Sequence, residues 1–275
     1  AMTTADNTVA IGYAAAGLLT TGTQGVYIGS LAGGAGTITG ASNNVIGYQA
    51  GKNLDSGHSN VLIGDDAGRN LTTANNLVMI GHNVGNGFDT ETHNLAIGTD
   101  ALGGSVAGGE FNVAVGNYSL DAVTSGDSNT ALGYQAGTAI NSGSNNVMIG
   151  YQAGDDITTG SGVVNIGDNT DNGGNVNHSI VIGQAASGKG ANTGFISPNG
   201  GAVFQGNNST TWSQTSDIRI KKNIKDNNIG LEKINKIKVR NFEYKLPEEI
   251  TEVPTHAAIK KEGVQLGVIA QEIQE

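Results

Sequence analysis

A short phrase, apolar–any–apolar–Gly, returns along the first two thirds of this chain at a nearly fixed interval. Its glycines are Gly12, Gly29, Gly47, Gly64, Gly81, Gly98, Gly116, Gly133, Gly150, Gly167 and Gly183, spaced by 17, 18, 17, 17, 17, 18, 17, 17, 17 and 16 residues. Eleven copies on one period form a repeat array. In such an array each unit is too small to bury its own apolar side chains and is stable only against its neighbours. A helical repeat is excluded, because glycine recurs inside every would-be helix and the apolar spacing is not 3.6 residues.

Each copy has an internal grammar. Ile11, Ile28, Ile46, Ile63, Ile80, Ile97, Val115, Leu132, Ile149, Ile166 and Ile182 stand directly before the glycines, and Val9, Val26, Val61, Val78, Val113, Val147 and Ile180 stand two residues earlier. A period of two puts both on one face of a short strand. Ala32, Ala50, Ala67, Ala101, Ala136 and Ala153 follow three residues after the glycine, and Leu19, Leu54, Leu71, Phe88, Val123, Ile140 and Ile157 follow seven after it. Gly22, Gly57, Gly126, Gly143 and Gly160 mark a second corner, and Asn43, Asn60, Asn94, Asn112, Asn129 and Asn146 sit just ahead of the strand, where Asn suits a turn. The pattern predicts a mainly β fold. It is a parallel β-solenoid or β-roll of about 17-residue coils with two short strands and two corners each, the Ile ranks inside and the Asn ranks at a corner. Eleven coils stacked at about 4.8 Å make a rod of roughly 50 Å. So thin a coil, rich in Gly and Ala, gains by packing against other chains.

Charge divides the chain. Residues 216–275 hold 11 of the 14 Lys and Arg but 3 of the 44 Gly; residues 1–215 hold 3 basic and 14 acidic residues, a balance of −11 against +1. The acidic rod lacks the basic patches that displace counterions, so nucleic acid is not an expected partner. No apolar run reaches bilayer length, so no membrane insertion is expected. With no cysteine, disulfides and thiolate metal sites are excluded. No cofactor or metal is expected: His58, His82, His93, His178 and His256 share no repeat phase, and Asp168–Gly173 lacks the acidic ligands of a calcium loop. Asp65-Asp66 and Asp155-Asp156 read as solvated corners rather than paired catalytic carboxylates. The organisation read from these shifts is a repeat rod over 1–187 and a neck or tip over 188–215 with short strands around Gly194–Phe204. A charged α+β segment follows over 216–275. In that segment Ile229, Leu231, Ile234 and Ile237 fall near helical spacing, while 239–244 and 264–270 read as strands.

Two resemblances follow from these residues. The repeat, with Ile-Gly-Tyr-Gln-Ala-Gly at 46–51 and 149–154, is similar to repeats of phage fibre proteins and to the head repeats of trimeric bacterial adhesins. Ser216-Asp217-x-Arg219-x-Lys221-x-Asn223-Ile224, with Leu231, Ile234, Val239, Phe242 and Gly267-Val268-Ile269-Ala270-Gln271-Glu272, resembles the intramolecular chaperone domain of phage endosialidases and tail fibres. That family continues past the Ala-Gln-Glu segment into further strand and long helices, so residues 216–275 correspond to the first part of the module.

The resemblance implies a homotrimer folded by its own C-terminal segment, which then frees itself by cutting the Thr215–Ser216 bond. It implies Ser216 as nucleophile and Lys221 as general base, with Asp217, Arg219 and Asn223 supporting the loop. The chemistry is sound, since a serine hydroxyl needs a base and a lysine serves when burial or neighbouring cations lower its pKa. It further implies a virion tail fibre, assembled in the host cytoplasm, whose partners are its own copies and a bacterial surface receptor, glycan or protein. The rod itself is not expected to be an enzyme. Two alternatives stay open, a cell-surface trimeric adhesin head and an ice-binding β-solenoid. The second is suggested by Thr20-Thr21, Thr72-Thr73 and Thr158-Thr159, whose rank Asp55, Asp89 and Asn141 interrupt.

Overall fold

The computed structural model describes residues 7–104, 109–197, 202–206, 212–213, 239–242 and 263–267. The chain divides into two compact units, Ala1–Thr215 and Ser216–Glu275. In the first, every copy of the phrase is one short strand. These are β1 (Val9–Ile11), β2 (Val26–Ile28), β3 (Asn44–Ile46), β4 (Val61–Ile63), β5 (Val78–Ile80), β6 (Leu95–Ile97), β7 (Val113–Val115), β8 (Thr130–Leu132), β9 (Val147–Ile149), β10 (Val164–Ile166) and β11 (Ile180–Gly183). They pair in chain order, parallel and in register, so that Val61 faces Val78 and Ile63 faces Ile80. β12 (Gly194–Ser197) extends the parallel stack on β11. The expected parallel β-solenoid is therefore present.

Two details of the expected coil are corrected. First, the described coils carry one strand each, not two. The chain turns through left-handed residues two and four positions after the glycine, as at Gln49 (φ 53°), Gly51 (φ 49°), Asp66 (φ 55°) and Gly68 (φ 56°). A positive φ cannot belong to a pleated strand. The leg bearing Leu54 and Leu71 nevertheless bonds from coil to coil, Asp55 N–H donating to the Thr72 carbonyl at 2.9 Å and Thr72 N–H to that of Asp89 at 2.9 Å. Second, the Val and Ile ranks do not point inside. From β2 to β11 the middle residue of each strand is the buried one: Tyr27, Val45, Leu62, Met79, Ala96, Ala114, Ala131, Met148, Asn165 and Val181; Ala10 in β1 is half-buried. Strand alternation then forces the two flanking residues outward.

The interior is filled by size compensation. Where the middle residue is long, the position four after the glycine is Gly; a Cβ on Gly85 would lie 2.2 Å from the Met79 sulfur, and one on Gly154 2.2 Å from that of Met148. Where the middle residue is Ala96 or Ala114, Leu102 and Leu120 occupy that position and are fully buried. A close-packed interior requires such trading of volume. The Ala three after the glycine and the apolar residue seven after it join this core, Ala50, Ala67, Leu54, Leu71 and Phe88 among them.

The Asn rank is buried as well. Asn60 donates through Nδ2 to the Ala74 carbonyl (2.8 Å) and to Asn43 Oδ1 (3.1 Å), and its own Oδ1 accepts from Leu77 N–H (3.0 Å). Asn112, Asn129 and Asn146 repeat the arrangement on Gly126, Gly143 and Gly160. Each amide satisfies backbone groups that the corner would otherwise leave unpaired indoors. Asn60→Ala is expected to cost about 2–3 kcal/mol, because two buried backbone partners are stranded. Thermal unfolding beside Asn70→Ala, at an exposed position, checks it.

At the far end the sheet changes character. β13 (Val203–Gln205) runs antiparallel to β12, and β14 (Trp212–Ser213) antiparallel to β13. β12 and β13 lie where short strands are expected, around Gly194–Phe204. Val181, Ala186 and Phe195 form a small separate apolar cluster, with the Lys189 ammonium 4.8 Å over the Phe195 ring. In the second unit β15 (Arg240–Phe242) pairs antiparallel with β16 (Gln265–Gly267) within the two stretches read as strands. The helix expected around Ile229–Ile237 lies outside the described residues.

Candidate interaction surface

The outward ranks make a continuous apolar seam along the rod. Eleven strands present twenty-two outward positions, and twenty of them are Val, Ile or Leu; the exceptions are Asn44 and Thr130. None is charged. Val9, Ile11, Ile97, Leu132 and Ile180 are exposed outright, and the others keep part of their surface uncovered. Rank neighbours shield one another along the axis, but no described residue of the unit covers them fully from the front. A contiguous apolar face along eleven coils is unlike the scattered apolar residues of an ordinary monomer surface.

Aromatic residues border the seam. Tyr13, Tyr48, Tyr134 and Tyr151 directly follow strand-end glycines and are exposed. Tyr134 and Tyr151 stack at 5.4 Å, and Tyr118 meets Tyr134 edge-on at 5.9 Å. Beside them Gln152 Nε2 donates to Gln135 Oε1 at 2.8 Å. Elsewhere on the rod, Phe111 is exposed and stacks on His93 at 5.1 Å.

Charged groups lie off the seam. Arg69 and Asp66 form an ion pair at 3.6 Å. Burial pushes the Asp156 carboxyl up, while the N–H groups of Gly174 and Asn172 that it accepts hold it down. Burial likewise raises Asp121, opposed by the hydroxyl hydrogen bond from Thr138. In the segment compared above with a calcium loop, Asn172 donates to Asn165 Oδ1 at 2.9 Å and Thr170 to the Gly167 carbonyl at 3.2 Å, so these groups serve the coil itself. The hydroxyls of the threonine corner turn to neighbouring coils, Thr20 to the Ile38 carbonyl, Thr72 to Asp89 and Thr124 to Asn141. The described histidines His58, His82, His93 and His178 are exposed.

The residues singled out for cleavage, Thr215, Ser216, Asp217, Arg219, Lys221 and Asn223, all lie outside the described residues. The β15–β16 pair that follows joins Asn241 to Leu266, bringing the Val239–Phe242 stretch beside Gly267, as a single folded module would. Residues 216–275 match the family model described as Chaperone of endosialidase. No curated protein and no solved structure matches the chain. The match covers the second unit alone. The matched stretch opens on Ser216, the serine of the Ser-Asp-x-Arg motif.

What sequence reasoning missed is the seam. Its signal was present: the middle strand residue varies in size and trades volume with the position four after the glycine, as an interior residue does. The flanking ranks stay aliphatic apart from Asn44 and Thr130, each residue packing along the axis against its counterpart in the neighbouring coil.

Proposed function

We propose that the chain forms the shaft of a homotrimeric tail fibre of a virion, folded with the help of its chaperone segment and used to meet a receptor, glycan or protein, on a bacterial surface. The observation that supports it best is one chain joining a rod with an uncovered apolar seam to a segment that matches the endosialidase chaperone. A face of that kind is a liability for a lone chain in the host cytoplasm, and a trimerising segment downstream removes the liability by bringing copies together before the rod sets.

In this reading the chaperone segment leaves after assembly. Ser216 Oγ attacks the Thr215 carbonyl carbon as Lys221 takes the hydroxyl proton; the peptide nitrogen departs protonated as the new terminal amine of Ser216, and an ester joins the two residues. Water then opens the ester, leaving a Thr215 carboxylate and restoring the serine hydroxyl. Asp217, Arg219 and Asn223 hold the loop in shape. The strength of the reading is chemical economy: one hydroxyl and one amine suffice when a turn presses them together.

The test joins residues 1–275 to a whole chaperone module of this family. The wild type should separate at Thr215–Ser216, and Ser216→Ala should remain full length on a denaturing gel, a loss of cleavage of at least 100-fold. Equal cleavage of both would overturn the dyad, and a monomeric mass before cleavage would overturn the trimer.

A further inference from the structure

The two polar members of the seam are its informative ones. Asn44 and Thr130 stand in the first rank, where Val9, Val26, Val61, Val78, Leu95, Val113, Val147, Val164 and Ile180 stand in the other coils. Their strands pair in the common register, Asn44 opposite Val26 and Val61, Thr130 opposite Val113 and Val147, so both side chains share the outward face. Backbone N–H groups of both donate to the neighbouring coil, at Asn60 and Asn146, and their side chains make no hydrogen bond to any described residue.

The seam also indicates its own occupant. Its ranks repeat with the coil spacing over eleven strands. Only a surface with the same period can lie against all of them at once, and another copy of this chain has that period. A periodic seam then raises a difficulty of its own. Sliding one copy past another by a single coil, about 4.8 Å, leaves almost all aliphatic contact intact. Uniform apolar packing brings copies together without saying which coil meets which.

We propose that copies of this chain meet along the aliphatic seam and that Asn44 and Thr130 fix their register. The inference rests on the homotrimer reading above. In register, the Asn44 amides of neighbouring copies face one another, and a primary amide carries both donors and an acceptor, so it can satisfy its own kind. One coil out of register, each amide lies against Val26 or Val61 of another copy with nothing to bond, and a buried polar group without a partner disfavours that arrangement. Thr130 imposes the same condition five coils further on. A lone buried Asn sets the register of coiled coils by the same means.

The absence of cysteine allows a direct test. Two differently tagged full chains, one with Val61→Cys and the other with Val78→Cys, are co-expressed and oxidised. Disulfides between unlike tags report a one-coil slip, and a parallel preparation with Val61→Cys in both chains reports register. Adding Asn44→Val and Thr130→Val to every chain is expected to raise the ratio of slipped to in-register product at least several-fold, with a trimeric mass by light scattering. Both substitutions install the residue usual in that rank, so folding is not at risk. A trimer whose ratio does not change overturns the register role alone. A native chain of monomeric mass overturns the homotrimer reading and this inference with it.

Discussion

Gly81→Ala should break the rod in the middle. The strand-end glycines of all eleven coils have φ between 130° and 147°, a region that side-chain-bearing residues rarely enter. Space is tighter still. A Cβ at these positions would lie 1.8–2.6 Å from the nearest backbone atom of the next coil, and on Gly81 it would sit 2.4 Å from the Gly98 carbonyl oxygen. The obstacle is backbone, which cannot rotate away, so the coils must separate and give up the ladder between β5 and β6. The torsional term alone is about 1–3 kcal/mol. With the lost stacking, a total of about 4 kcal/mol or more is expected, at the upper end for a single substitution. Because each coil is supported only by its neighbours, the damage should spread outward from residues 81–98 as early proteolytic nicking and a second thermal transition. Gly174→Ala separates the two causes: Gly174 has φ 124° but no atom within 4 Å of its would-be Cβ, so only the torsional cost remains. Equal losses at the two sites would show that the close approach of coils is not what selects glycine.

Ile80→Asp is the second large effect, and it should act on association rather than on the coil. Ile80 faces outward in the centre of the seam, in rank with Ile63 and Ile97. In a lone chain the carboxylate would reach water at little cost. Between copies it would be buried beside its equivalents without a counter-ion, which costs several kcal/mol per charge. Light scattering on the full chain should therefore report a trimer for the native protein and a monomer for the variant, while the thermal transition of the isolated coil moves little. Thr73→Asp, at an exposed threonine corner, should leave the mass unchanged. A variant that keeps its trimeric mass would move the interface away from this face.

The rod was legible in the chain because a period is a one-dimensional property. Glycines at a near-constant interval say where each coil ends whatever the coil's shape, and the strands β1 to β11 end at those positions. The Asn rank was legible as a corner, but not as a buried ladder, since an amide that suits an exposed turn looks the same as one that satisfies the Ala74 and Gly143 carbonyls indoors. The likeness to the endosialidase chaperone was legible from the ordered motif that begins at Ser216, and the family match begins at that residue. The cleavage roles proposed for Ser216 and Lys221 rest on that resemblance and on the chemistry of the pair.

The amino-acid sequence by itself determined the period, the parallel stacking it forces, and the change of character at residue 216. Only the tertiary structure decided which side of each strand is inside. Alternation separates two faces without naming them, and both faces of Val-x-Ile strands hold apolar residues. A left-handed residue two after each glycine, with a second four after it from Gly12 to Gly150, turns the chain so that the middle residue joins a core with Leu54, Leu71 and Phe88, and the Val and Ile ranks are left on the outside, where another chain can reach them.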